Sequence, residues 1–306
     1  MISIAALAAI VVWAAHQEPP ALPSSPARLA EVAGAIAFYL AGSAVRAERW
    51  YELLRHNGAL PRRLDAYGLV AVAYFGNNVL PARAGDALRV VLIAPRARTD
   101  ARTAIGTVVA ERVLDVVVLV ALFVVLAYTV LGAIDVPSGE RLVLAALLVA
   151  GVGAAGTAVA WVLHRRGHLR GVLAFLAPMA EATRRLRSNH GMQLLGLTFA
   201  VWALEWIAWW LAARAVGLDL ALLEVGYLMG LASMFALMPS GPGYIGTFDA
   251  AVVFGVRALQ YSGAQALSYV LLLRFVVTVP ITLIGLVVLV VGYGGLHRMR
   301  ALVRAT

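Results

Sequence analysis

Six ionisable side chains, Arg83, Asp86, Arg89, Glu111, Arg112 and Asp115, fall in the stretches "NNVLPARAGDALR" (77–89) and "TVVAERVLDVVVL" (107–119), inside otherwise apolar surroundings. A charge at the centre of a membrane helix costs about 2.5–3.5 kcal/mol on insertion scales, so each is a functional candidate by default. Three are positive and three negative, and the cluster sums to zero. Arg83 and Asp86, Asp86 and Arg89, and Arg112 and Asp115 are three apart, and Glu111 and Asp115 four apart, so helical neighbours can meet. One reading is a structural network that locks a hairpin to a helix; the other is a binding site. For binding, Arg83 and Arg112 are the leading candidates, because a guanidinium fork matches phosphate oxygens in a dry site. Asn77 and Asn78 would cap the hairpin or donate to a headgroup, capping being the commoner role of such residues.

A second group lies in "MPSGPGYIGTFDAAV" (238–252), where Gly241, Gly243 and Gly246 surround an expected helix start. Freed backbone N–H groups at such an end form an anion site, and glycine lets a headgroup approach closely. A tight hairpin tip would also need small residues. Ser240 and Thr247 can donate to a ligand or cap, and Asp249 can pair with Arg274. Glu205 sits in an apolar, Trp-rich run with Trp202 and Trp209 on its face. A carboxyl there is either protonated or paired with an Arg, and it is a candidate coupling group.

Several chemistries are excluded. There is no Cys, so there is no disulfide framework and no thiolate nucleophile. The six His lie outside the apolar runs or at their ends, and no HExxH or buried His base can be assembled, so neither a metal site nor a catalytic residue is expected. Asp86 and Asp115 do not suit a proton-sharing dyad, because the surrounding Arg would hold both ionised. No cofactor is expected.

The elements that must carry these residues follow from composition. The 306 residues are 62% hydrophobic and 13% charged, which marks an integral membrane protein. Apolar runs occur at 29–45, 113–133, 141–163, 192–216 and 266–292, after a short first run at 2–15 that reads as a short span rather than a signal peptide. Two further regions, 66–94 and 220–257, are interrupted by Pro and Gly. All 25 basic residues are Arg, and 17 of them fall in 46–65, 95–102, 164–191 and 293–306. The positive-inside rule assigns these segments, and with them the C-terminus, to the cytoplasm; the N-terminus is expected there too. This charge pattern is explained by orientation in a bilayer, and no nucleic-acid partner is expected. Both interrupted regions then begin and end on one side, as re-entrant hairpins entering from opposite faces. Pro81 and Gly85 align with Pro239 and Gly243, each followed by an intramembrane Arg, Arg112 or Arg274. The halves 29–133 and 192–292 therefore read as inverted repeats, with a substrate site at the broken helices. The segment 164–191 reads as a basic, cytoplasmic interfacial helix.

With these three motifs in order, the chain resembles the flippase-like family built on the transmembrane region of lysylphosphatidylglycerol synthase. That family also holds stand-alone membrane proteins, including hopanoid-associated ones and an archaeal dolichol-linked sugar protein. Asp86 and Asp249 stand where the family more often has Glu. The resemblance implies lipid translocation and gives no support for lysine transfer. The expectation is one all-α polytopic membrane domain over 1–306, with about six spanning helices plus two oppositely facing re-entrant hairpins. It would move an amphipathic lipid headgroup across the cell inner membrane, with a lipid substrate and a lipid-modifying enzyme as partners. The alternatives are a membrane-embedded transferase acting on a polyprenyl-phosphate lipid, with Asp86 or Glu111 as base, and a non-transporting scaffold.

Overall fold

The computed structural model describes residues 12–20, 23–80, 84–133, 189–236 and 241–294. Among them the regular structure is helical, with no strand. Eight long helices are α1 (Pro26–His56), α2 (Arg63–Val79), α3 (Ala84–Arg96), α4 (Ala101–Ala133), α5 (Asn189–Ala215), α6 (Leu222–Ala236), α7 (Thr247–Ala258) and α8 (Gly263–Tyr293). Three of these, α1, α5 from His190 onward and α8, are long and apolar enough to cross a membrane. Arg83, Ser240, the expected span 141–163, most of the segment 164–191 and the C-terminal Arg cluster lie outside the described residues. The last residues of 164–191, from Asn189, form the first turn of α5.

Helix starts follow local chemistry. Ser25 accepts from the Arg28 N–H ahead of Pro26, which loses no bond at the first helical position. Asp100 accepts from the Thr103 N–H at 2.7 Å to open α4. Ser262 and Gln265 form a reciprocal capping box on α8, which ends at Gly294 in the left-handed region.

In each interrupted region the two helices, α2 with α3 and α6 with α7, pack on each other. In the first, α2 and α3 meet at Gly76 and Gly85. A Cβ on Gly76 would lie 2.6 Å from the Gly85 Cα, and one on Gly85 would strike the Ala73 carbonyl. In the second, α6 packs on α7, where a Cβ on Gly255 would press on Leu228 and Leu231. Glycines also lie at contacts between the long helices. Gly42 of α1 faces Leu204 and the Val201 carbonyl of α5, and Gly285 of α8 sits against the Ala71 carbonyl of α2. Small residues allow this, since dispersion and close backbone approach drive helix association where lipid already solvates apolar side chains. Val117, Val125, Phe199, Phe254 and Val291 are exposed, as a lipid-facing surface requires.

One sequence expectation is corrected here. Arg46 and Arg49 do not belong to a cytoplasmic loop. Helix α1 continues without interruption to His56, and Arg49 is fully buried in it. Arg55, Arg62 and Arg63 remain beyond or at the end of this helix.

Candidate functional site

All eight helices, α1 to α8, and the turn at Gly243 and Tyr244 line a cavity of about 300 Å³. The first-half candidates Asn77, Asn78, Asp86, Arg89, Glu111, Arg112 and Asp115 line it, and so do Glu205, Gly243 and Arg274 from the second half. Sequence positions as far apart as Tyr39 and Thr278 thus share one chamber.

Its floor is a buried ion network centred on Arg49. Nη1 of Arg49 donates to Asp115 Oδ1 at 2.7 Å and to Thr198 Oγ1 at 2.9 Å, and Nη2 reaches Glu111 Oε1 at 3.2 Å. Arg89 lies 3.0 Å from Glu111 Oε2 and 3.1 Å from Asp86, with its guanidinium 4.8 Å from the Trp50 ring centroid. The Arg89–Glu111 contact lacks hydrogen-bond alignment, so that carboxylate oxygen is neutralised by charge rather than by a shared proton. Arg46 donates to Glu205 at 2.7 Å and lies over the rings of Tyr74 and Trp202. Glu205 is therefore paired, the second of the two states the sequence left open.

Arg112 differs from these. Its Nη2 donates to both oxygens of Asp86, at 2.9 and 3.2 Å, while its Nη1 stays 3.9 Å from Asp115, beyond hydrogen-bond reach. The side chain is 36% exposed, against 0% for Arg49 and 2% for Arg89. Among the described residues Arg112 is thus the most exposed of the first-half guanidinium groups that line the cavity. Its main partner is Asp86 across the hairpin, not the helical neighbour Asp115.

The second break is satisfied by its own side chains. Gly243 and Gly246 have φ of 60° and 91°, conformations that a side chain disfavours. The Gly246 N–H donates to Asp249 Oδ2 at 2.9 Å, and Thr247 Oγ1 donates to the Tyr244 carbonyl at 3.4 Å. Arg274 binds Asp249 at 2.5 and 2.9 Å, donates to the Tyr244 carbonyl at 3.1 Å, and also donates to the Gly243 carbonyl. So the N–H expected to meet an anion at Gly246 already meets the chain's own carboxylate, and Gly241 borders the loop without lining the cavity. Asn78 donates to Thr282 at 2.8 Å, tying α2 to α8. Asn77 is buried, and its Oδ1 has no hydrogen-bond partner among the described residues.

The pairs Arg46–Glu205, Arg49–Asp115, Arg89–Glu111, Arg112–Asp86 and Arg274–Asp249 balance, so these described residues carry no net charge. Among the described residues of the cavity, each carboxylate faces a guanidinium. Sequence reasoning missed Arg46, Arg49 and Thr198. A signal was present: Ala35, Tyr39, Gly42, Ala47 and Trp50 mark the buried stripe of α1, and Arg46 and Arg49 continue it in helical phase.

The family model described as the lysylphosphatidylglycerol synthase TM region matches residues 1–285. Among curated proteins, a UPF0104 membrane protein of Methanothermobacter thermautotrophicus is 25% identical over 217 aligned positions, covering 61% of this chain and 62% of that protein. Glycosyltransferase AglD of Haloferax volcanii is 24% identical over 298 positions, covering 83% of this chain. The chain spans 47% of that relative's length, less than half of it. No solved structure matches.

Proposed function

Because the chain belongs to the family of the lysylphosphatidylglycerol synthase transmembrane region, we propose that it carries a lipid headgroup across the cell inner membrane. The headgroup passes through the charged cavity while the acyl or prenyl tails stay in the bilayer. The observation that supports this most is the convergence of both chain breaks on one balanced, partly open chamber containing Arg112. Broken backbone and ionised side chains are tolerated at membrane depth only where protein buries them or a cavity wets them. A phosphate entering the chamber competes with Asp86 for Arg112, and such exchange gives the weak, reversible binding that transport needs. The two hairpins are re-entrant from opposite faces, the halves are inverted repeats, and both termini are cytoplasmic in this reading. The cargo is a phosphate-bearing lipid, and a lipid-modifying enzyme supplies or consumes it.

The likeness to a glycosyltransferase of Haloferax volcanii favours a second reading, a membrane-embedded transferase acting on a lipid phosphate. Proteoliposomes with several fluorescent headgroups separate the two. Headgroup movement without a new covalent product supports transport. A product that forms with turnover and is lost in Asp86→Asn supports the transferase.

A further inference from the structure

Three side chains that the cavity does not use meet where the end of α1 approaches the start of α5. Glu52 and His56 are four residues apart on α1, so they share a face, and His190 opens α5 beside them. Their donor atoms all lie within 4.8 Å of one another. The two imidazoles stack, with centroids 2.9 Å apart and planes inclined by 9°. Parallel rings cannot hydrogen-bond to each other in plane, and Nε2 of His190 is buried without a hydrogen-bond partner among the described residues. Glu52 is 8% exposed, and its neighbour Arg55 stays 3.7 Å away, outside hydrogen-bond distance. Arg55 is half exposed and lies over the Tyr51 ring, so it is free to move towards solvent.

An unpartnered buried imidazole nitrogen beside a second imidazole and a buried carboxylate is unfavourable by itself. It becomes favourable when a cation accepts their lone pairs. We propose that Glu52, His56 and His190 bind a transition-metal dication, with Zn²⁺ the best match. Imidazole ligands disfavour Mg²⁺ and Ca²⁺, which take oxygen donors. Two His and one carboxylate form a three-ligand zinc set that leaves a fourth position for water. Zinc bonds of about 2.0–2.1 Å place tetrahedral donors about 3.4 Å apart, so these side chains need only rotate to close on the ion. The sequence offered no such site, because the His residues lie far apart in the chain and only the packing of α1 on α5 joins them. A bound ion would staple the two helices that carry Arg46, Arg49, Thr198 and Glu205 to the cavity. The inference does not depend on what the cavity transports.

The test uses the full chain carrying an affinity tag without histidines, stripped by a chelator in detergent and titrated with Zn²⁺ against a fluorescent chelator. The expected result is about one equivalent per chain, with a rise in melting temperature on loading. Replacing His16, His164, His168 and His297 together with Ala should leave both readouts intact. His56→Ala with His190→Ala should abolish both, and Glu52→Gln should weaken binding by about tenfold or more. Should the double variant not fold, His190→Gln, which keeps a polar group at the helix start, serves in its place. No equivalent in the parent, an equivalent that survives loss of His56 and His190, or one lost with the other four His overturns the proposal.

Discussion

Asp86 and Asp249 hold the same place in two separate helices. Each is the third residue of the helix that follows a chain break, and each is bound by an arginine on the next long helix, 26 and 25 residues further on. A carboxylate in a first helical turn faces the positive end of the helix dipole and can take its unpaired N–H groups. A guanidinium then neutralises it, and in the second break also takes the carbonyls that the break leaves without partners. The two Asp–Arg pairs match each other more closely in spacing than the two Pro–Asp intervals do. Asp86 follows Pro81 by five positions and Asp249 follows Pro239 by ten, the longer interval holding the 3₁₀ turn Pro242–Tyr244.

The second latch should carry measurable stability. Arg274→Ala leaves Asp249 and two carbonyls without their guanidinium, and the expected loss is about 3–5 kcal/mol. Adding Asp249→Asn should recover part of it. Thermal unfolding in detergent reads both, and a change below about 1 kcal/mol in the single variant would show that the break is held by something else.

Cargo contact at Arg112 is separable from structure because its partner is identified. Arg112→Gln alone should lower both stability and lipid movement. Arg112→Gln with Asp86→Asn removes both charges and should restore the melting temperature while movement stays at least about tenfold reduced, the equivalent of some 1.4 kcal/mol of lost binding. Recovery of both readouts would mean that the pair is purely structural.

Glycine substitutions should divide sharply. Gly85→Ala forces a methyl into the Ala73 carbonyl, where backbone rather than a flexible side chain must yield, so a loss of about 1–3 kcal/mol or more is expected. Gly106→Ala meets nothing within 4 Å inside α4 and should be neutral or stabilising by up to about 1 kcal/mol. Melting temperatures of the two variants measured side by side check this, and equal effects would argue against the close hairpin.

Sidedness of the hairpins is accessible because the chain has no Cys. Ala84→Cys should react with an impermeant thiol reagent from the cytoplasmic side, and Ser240→Cys from the opposite side. Reaction of both from one face would remove the inverted arrangement.

The sequence alone determined the class and the places of the breaks. Apolar runs of the right length, Pro and Gly inside 66–94 and 220–257, and charges three and four apart are local signals that survive without a fold. They placed α2, α3, α6 and α7. What hydropathy could not show is where a helix continues past its apolar stretch. Arg46 and Arg49 lower the local average exactly as loop residues would, yet α1 carries them inward, because Glu205, Glu111, Asp115 and Thr198 wait on α4 and α5 to compensate their desolvation. That compensation is a property of three helices at once. The same holds for Arg112, whose choice of Asp86 over Asp115 depends on how the first hairpin leans on α4, and for Glu52, His56 and His190, which only helix packing brings within reach of one ion.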